Sequence, residues 1–116
     1  MAISEFVTGT ENISTTEWSL ATDTSYDTGD AQTADGIYQV FLDLTDMVLG
    51  DILQIRVYEK VRSGDTQAVV EEWVLSNSQS TSIWVSPSLI LMHGWDVTCD
   101  ALAGTITVNW SIRQVA

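Results

Sequence analysis

The sequence predicts an all-β protein, an antiparallel β-sandwich or small barrel of about seven strands with an extended acidic N-terminal segment. Apolar and polar residues alternate at period two in several stretches, as they do in strands with one buried side. These stretches are short and mostly bounded by glycines, which is typical of sandwiches and barrels. No helical periodicity extends over ten residues, and no internal repeat is visible.

The N-terminal third differs in composition from the rest of the chain. It is rich in Thr and Ser and carries seven carboxylates and no basic residue. A short strand is predicted at 13–20, followed by a segment at 21–36 with the composition of a loop. We therefore divide the chain into an acidic, polar arm and loop of residues 1–35, which packs on the domain, and a β-sandwich domain of residues 36–116.

The first strand of this domain covers residues 37–44. Val40 and Leu42 lie on one of its faces, and Ile37 and Phe41 lie on the other. A strand with one face in water alternates apolar with polar residues, so large apolar residues on both faces indicate that both are buried. We therefore predict that the supposedly outer face of this strand is covered as well.

A longer alternation follows, from residue 51 to residue 62, and Ser63-Gly64-Asp65 then returns the chain through 66–74 as a hairpin partner. The predicted inward positions are Leu53, Ile55, Val57 and Val61. The predicted outward positions are Gln54, Arg56, Tyr58, Lys60 and Arg62.

The last strands are bounded by clear breaks. A strand at 83–92 is interrupted at Ser86–Pro87, because proline cannot donate to a strand ladder and so marks a bulge, a sheet switch or an edge. Residues 95–101 and 106–113 alternate cleanly. Their predicted inward residues are Trp95, Val97, Cys99, Ala101, Ile106, Val108, Trp110 and Ile112.

The charge balance excludes several classes of partner. Sixteen acidic and four basic residues give a net charge of -12. Such a field repels phosphates and anionic lipids, so we expect neither a nucleic acid nor a membrane as partner. A hydrophobic content of 45% on so acidic a chain indicates apolar surface intended for a protein partner.

The sequence also predicts the compartment. The single cysteine, Cys99, cannot form an internal disulfide. The N-terminal residues have no basic region followed by an apolar run, and no stretch reaches the ~20 apolar residues of a membrane span. We therefore expect a soluble protein made in a cytosol.

No set of residues specifies a catalytic site, and we predict that the protein is not an enzyme and needs no cofactor. His93 and Asp96 form the one histidine–carboxylate pair, but no nucleophile stands in a context such as Gly-x-Ser-x-Gly. Glu59 with Glu71 or Glu72 across the hairpin would need a cleft to act as an acid–base pair, and the sequence supplies none.

The acidic loop at 23–35 is the candidate for a metal. Asp23, Asp27, Asp30 and Asp35 offer the oxygen ligands that calcium prefers, but their spacing is not that of a calcium-binding loop. We interpret the segment as a solvated acidic loop and assign no metal ligand, with calcium binding left open.

Six residues are predicted to lie in an interface between protein copies. A row of cations and an aromatic on an acidic protein is suited to meet the acidic face of a neighbouring copy, although an ordinary solvated strand face is the alternative. Two tryptophans lie on strands of mixed pattern, and Trp and Tyr dominate interface hot spots. The six residues are Arg56, Tyr58, Lys60, Arg62, Trp73 and Trp84.

Residues 32–44, 50–64, 83–98 and the ending Trp110-Ser-Ile-Arg-Gln-Val-Ala116 together resemble small structural proteins of tailed bacteriophages that are encoded among head genes. The likeness lies in the residue pattern and in these short stretches of sequence, and it extends over residues 32–116. It implies a virion component, a head decoration or cement protein with a β-sandwich core that binds the capsid lattice on its outer surface as a homo-oligomer. Such families have no catalytic residues, and an N-terminal arm often ties them to the shell.

A function of another class stays open as the alternative to a virion protein. Five tryptophans in 116 residues are also compatible with a carbohydrate-binding module or a tail-associated receptor-binding module. Such a module presents some of its tryptophans as a flat exposed platform, so the exposure of these side chains separates the two hypotheses.

Overall fold

The structure is a computed structural model that describes residues 2–27 and 32–115. Within these residues the chain forms ten strands in two antiparallel sheets that pack as a sandwich, which confirms the predicted fold class and corrects the predicted number of strands. The described part of the chain has no helix long and apolar enough to span a membrane. The strands are β1 (Ile3–Ile13), β2 (Trp18–Ser19), β3 (Thr24–Ser25), β4 (Gly36–Asp43), β5 (Ile52–Glu59), β6 (Ala68–Ser76), β7 (Ile83–Val85), β8 (Leu89–Leu91), β9 (Asp96–Ala103) and β10 (Ile106–Val115).

The strand order is that of a jelly roll. The first sheet runs β1-β10-β4, with β7 and β8 both paired to the far side of β4. The second sheet runs β3-β2-β9-β5-β6. With β3 counted as a hairpin extension of β2, and β7 and β8 counted as one interrupted strand, successive strands alternate between the sheets except at the β5–β6 hairpin. This is the jelly-roll path of two interlocked Greek keys.

The core lies between the sheets and uses the residues that the alternation predicts. The inward residues of β9 and β10 and the neighbouring Trp95 are at most 4% exposed, and Val40 and Leu42 of β4 are fully buried. Burial of one such side chain stabilises the fold by roughly 1.5–3 kcal/mol. The predicted inward faces of β4, β9 and β10 are therefore confirmed.

The predicted interruption at Ser86–Pro87 is also confirmed, and it separates β7 from β8 at the edge of the first sheet. The Ser86 N–H donates to the Val40 carbonyl, and the Val40 N–H donates to Ser86 Oγ, both at 2.9 Å. A side-chain hydroxyl thus takes the place of a ladder carbonyl where the chain bends away before the proline. This keeps β4 paired across the break.

Strand β1 is a finding that the sequence did not predict. Residues 3–13 pair with β10 from Ile3↔Val115 to Ile13↔Ile106, with a bulge between Glu5 and Val7. The division into an arm of residues 1–35 and a domain of residues 36–116 stays a prediction. In the structure β1 is nevertheless an edge strand of the first sheet.

Gly9 in β1 lies opposite Trp110, whose indole ring occupies the space that a Cβ atom at position 9 would take. The ring is held in the core because its Nε1–H donates to the Leu20 carbonyl at 3.0 Å. It therefore cannot move aside without loss of this hydrogen bond.

We expect Gly9→Ala to lower the free energy of unfolding by about 1–3 kcal/mol, because the added methyl group overpacks the buried ring. Urea denaturation followed by circular dichroism measures this change. Gly64→Ala is the matched control, since a Cβ there meets no atom within 4 Å, and its effect should stay within about 0.5 kcal/mol. Equal effects of the two substitutions would show that the ring does not fill the site above Gly9.

Strand β5 corrects two predictions. It ends at Glu59, so Val61, which was predicted to face inward, lies in the following loop and is 84% exposed. Its outer face is covered, since Gln54 and Tyr58 are buried there. The cover comes from the segment between β1 and β4, and the alternation within β5 carries no information about that segment.

Candidate assembly surfaces

The predicted row of cations does not form one continuous exposed stripe. Arg56 and Tyr58 lie in β5, whereas Lys60 and Arg62 follow the end of that strand. Tyr58 is only 8% exposed, and Arg62 Nη2 forms an ion pair with Asp65 Oδ1 at 3.1 Å in the turn. All four residues of the row have contacts within their own chain. Their role in an interface stays a prediction.

Glu17 connects this row to the segment that covers the second sheet. Its Oε2 accepts hydrogen bonds from the Tyr58 hydroxyl at 2.6 Å and from Thr98 Oγ1 at 2.5 Å. The same oxygen lies 3.7 Å from Nη1 of Arg56. Tyr26 stacks on Tyr58 with ring centroids 4.4 Å apart. The outer face of β5 is therefore an internal polar contact, which the sequence did not predict because nothing local marks Glu17 as a partner of β5.

Burial and hydrogen bonds raise the pKa values of three groups in and around this cluster. A hydrogen bond to Glu72, Nε–Oε2 2.9 Å, raises the pKa of Arg56. Burial, followed by the hydrogen bond to Glu17, raises the pKa of Tyr58, so its hydroxyl stays a donor at neutral pH. Burial also raises the pKa of Asp100, whose Oδ1 is buried without a hydrogen-bond partner. The cluster is suited to stabilising the fold.

Trp73 and Trp84 meet each other at the margin of the sandwich. Trp73 belongs to β6 of the second sheet and Trp84 to β7 of the first, and their ring centroids lie 5.1 Å apart in an edge-to-face arrangement. Both are half-buried and pack against the core. They close the gap between two edge strands, and their proposed contact with other copies stays a prediction.

The outer face of the first sheet carries the largest group of apolar side chains that the strands direct to solvent. Register places Ile37 beside Ile90 and Phe41 beside Val85. Ile90 is 81% exposed and Ile37 is 43% exposed. The cover that the sequence predicts for this face is therefore not supplied by the described residues of the chain. We call this surface the apolar face, and it consists of Ile3, Ile37, Phe41, Ile83, Val85, Ile90 and Val115.

Arg113 lies at the centre of the apolar face. Its guanidinium carbon is 3.7 Å from the centroid of the Phe41 ring, a cation–π arrangement on an exposed surface. Shallow grooves flank this pair, one beside Ile83 and the other beside Ile37 and Val115. An arginine stacked on an aromatic ring between apolar grooves has the composition of an interface centre.

The residues considered for catalysis have structural contacts. The Cys99 thiol is fully buried, and burial raises its pKa, so it stays protonated at neutral pH. The carboxylate of Glu59 accepts hydrogen bonds from the N–H groups of Met92 and His93, the shortest at 2.7 Å. Asp96 is buried and accepts from Ser19 Oγ at 2.7 Å. These groups are thus used to hold turns and strands together.

The calcium hypothesis is tested only in part. Within residues 2–27 and 32–115, no group of three or more His, Cys, Asp or Glu side chains is placed to hold a metal ion. Asp30, one of the four predicted ligands, lies outside the described residues. Asp23 accepts a hydrogen bond from Nε1 of Trp18 at 3.2 Å.

No protein-family model matches the chain. No curated protein matches its sequence. Several solved structures share its fold. A protein of Bacillus endospore appendages, described as disulfide-linked pili, is 18% identical, with 98% of this chain and 87% of that chain covered and a TM-score of 0.52. A chain from the naturally occurring empty particles of cowpea mosaic virus is 11% identical, with 99% and 84% covered and a TM-score of 0.53.

A pentameric capsid protein isolated from metagenomic phage sequences gives a lower TM-score of 0.46 at 17% identity, with 99% of this chain and 67% of that chain covered. At 18% and 11% identity, the first two structures show a common fold and no more. The chain thus belongs to the class of two-sheet jelly-roll proteins, and it shares that fold with a protein of a virus particle and with a protein of a pilus.

Proposed function

We propose that this chain is a non-enzymatic structural protein of a tailed-phage virion that binds the outer surface of the capsid as a homo-oligomer and stabilises it. The observation that carries the proposal is the apolar face, with Ile90 81% exposed on a protein of net charge -12. The largest exposed apolar patch on a soluble protein is often functional, and such patches mark interaction sites.

The charge supports an outer position on the capsid. A strongly acidic protein is repelled by packaged DNA and keeps its solubility until it binds. The resemblance of residues 32–116 to head-gene proteins of tailed phages points to the same place. The jelly-roll fold is compatible with this role, since a protein from particles of cowpea mosaic virus has it as well.

The tryptophans favour this proposal over a glycan-binding module. Trp95 and Trp110 are buried, and the other three are half-buried. Trp18 donates to Asp23, and Trp73 and Trp84 pack on each other. A sugar-binding surface uses a flat platform of exposed indole rings. The five tryptophan side chains do not form such a platform.

The test uses heads of the phage that encodes this chain, prepared without it. Purified protein is added to the heads, and its co-sedimentation and the temperature at which the heads release DNA are measured. We expect saturable binding at a fixed number of copies per head and a higher release temperature. Absence of binding, together with a tryptophan fluorescence change on addition of glycans, would replace the proposal by the receptor-binding alternative.

A further inference from the structure

We propose that the apolar face binds the same face of a second copy of this chain, so that two sandwiches pack back to back through their first sheets. The inference rests on the homo-oligomer of the proposed function and names the surface that forms it. It places the contact between copies away from the row that contains Tyr58, a residue that the chain itself covers. In such an isologous contact each patch meets its own equivalent.

The sequence itself indicates that this face is covered. Ile37 and Phe41 alternate in β4 with buried residues, so the outer side of this strand carries two large apolar residues beside Gln39 and Asp43. The described chain covers one side only. A second copy supplies a second apolar layer at the usual spacing of ~10 Å between packed sheets.

The distribution of charge identifies a second copy as the occupant. Two molecules of net charge -12 repel each other, so they approach most easily where carboxylates are scarce. The strands place only Glu5 and Asp43 on this face, at its margins, and each accepts a hydrogen bond from a hydroxyl group, of Ser111 and Thr45 respectively. Arg113, one of only four cations in the chain, lies on this face in register with Glu5, so a second copy meets both a cation and a carboxylate there.

The size of the face sets the expected strength. Four strand positions at ~4.8 Å spacing and about seven residues at ~3.4 Å give a projected area of roughly 450 Å². Specific interfaces bury about 800 Å² per partner, and weak ones bury less. We therefore expect a reversible dimer with a dissociation constant on the order of micromolar, formed by chains that are folded as monomers.

The unpaired edge of β6 is less suited to a contact between copies. β6 presents nine residues at the edge of the second sheet, but Glu71 and Glu72 stand at its centre. Antiparallel pairing of two β6 strands about that centre brings these carboxylates together, and charged residues on edges are a common protection against such pairing. The apolar face has no comparable protection.

Sedimentation equilibrium at 1–500 μM protein, in about 20 mM and about 500 mM NaCl, tests the inference. Because salt screens the repulsion between two acidic molecules, we expect a dimer whose dissociation constant falls as salt rises. Ile90→Glu should weaken the dimer at least about 30-fold, the loss expected for a hot-spot residue. Val61→Glu is the matched control, because Val61 is equally exposed but lies in the loop after β5, and it should dimerise like the unchanged protein.

Circular dichroism and thermal unfolding establish that both variants are folded. A monomer at 500 μM in high salt would overturn the inference, as would equal weakening by both substitutions. The outcomes are separable from those of the proposed function. A dimer that does not bind heads would contradict the virion role alone, and a monomer that binds heads would contradict the dimer alone.

Discussion

Replacing Trp95 by alanine is expected to destabilise the fold by about 3–5 kcal/mol, the range for a buried tryptophan cut to alanine. Trp95 is fully buried, and its ring centroid lies 4.5 Å from that of Tyr38 and 6.0 Å from that of Phe6. Its Nε1–H donates to the Ala34 carbonyl at 3.0 Å. The ring thus holds β1, β4 and the segment before β4 together.

Chemical denaturation followed by circular dichroism measures this loss, and native-state hydrogen exchange locates it. Exchange should accelerate most at Gln32, whose N–H donates to the Trp95 carbonyl at 3.0 Å, because the segment before β4 loses its anchor. Trp84→Ala is the control, since that side chain is half-buried at the margin and should cost clearly less. Equal losses for the two variants would contradict the central position of Trp95.

Asp96→Asn is expected to remove a pH-dependent loss of stability that the unchanged protein shows between pH 4 and pH 7. Burial raises the pKa of Asp96 from 3.8 to about 6; hydrogen bonds from Ser19 Oγ–H and the Val97 N–H lower it in part, and the charge of Glu17 raises it further. Because the folded state then binds the proton more tightly than the unfolded chain, stability falls as the pH rises through this window.

The size of this effect is on the order of 3 kcal/mol, since each unit of pKa shift corresponds to 1.36 kcal/mol. An asparagine keeps the oxygen that accepts from Ser19 and Val97 and carries no charge, so the variant should gain stability over the unchanged protein as the pH rises from 4 to 7. Urea denaturation at half-unit pH steps measures the difference. Glu71→Gln, which removes an exposed charge on β6, is the control. The same pH-dependent gain in stability in that variant would show that Asp96 is not the source of the gain.

The sequence predicts best the strands that have one buried face and one exposed face. In β10 the buried and exposed residues alternate from Ile106 to Ile112, because one side meets the core and the other meets solvent. In β1 the alternation is weak, because this edge strand has a bulge at Phe6 and its one fully buried residue is Ile13 at its end. The order of the strands was not predictable, because it depends on contacts such as Ile3 with Val115 at opposite ends of the chain.

The candidate surfaces were predictable only in part, for a related reason. Period two indicates which side chains share a face, but it does not tell what lies above that face. The outward residue Tyr58 is covered by Glu17 and Tyr26, which are distant in sequence and unremarkable in composition. The apolar outward residues of β4 did give a signal, since Phe41 breaks the pattern of a solvated face.

The position of β10 has a consequence for the making of the protein. This strand is hydrogen-bonded to β1 on one side and to β4 on the other, so the first sheet has no continuous ladder without it. Residues 106–115 leave the ribosome after β1 and β4, and until then these two strands have no common partner. Pairing of strands that are far apart in sequence is also intrinsically slow. The first sheet of a newly made chain therefore stays incomplete until β10 has been made, and the acidic charge helps keep such chains apart.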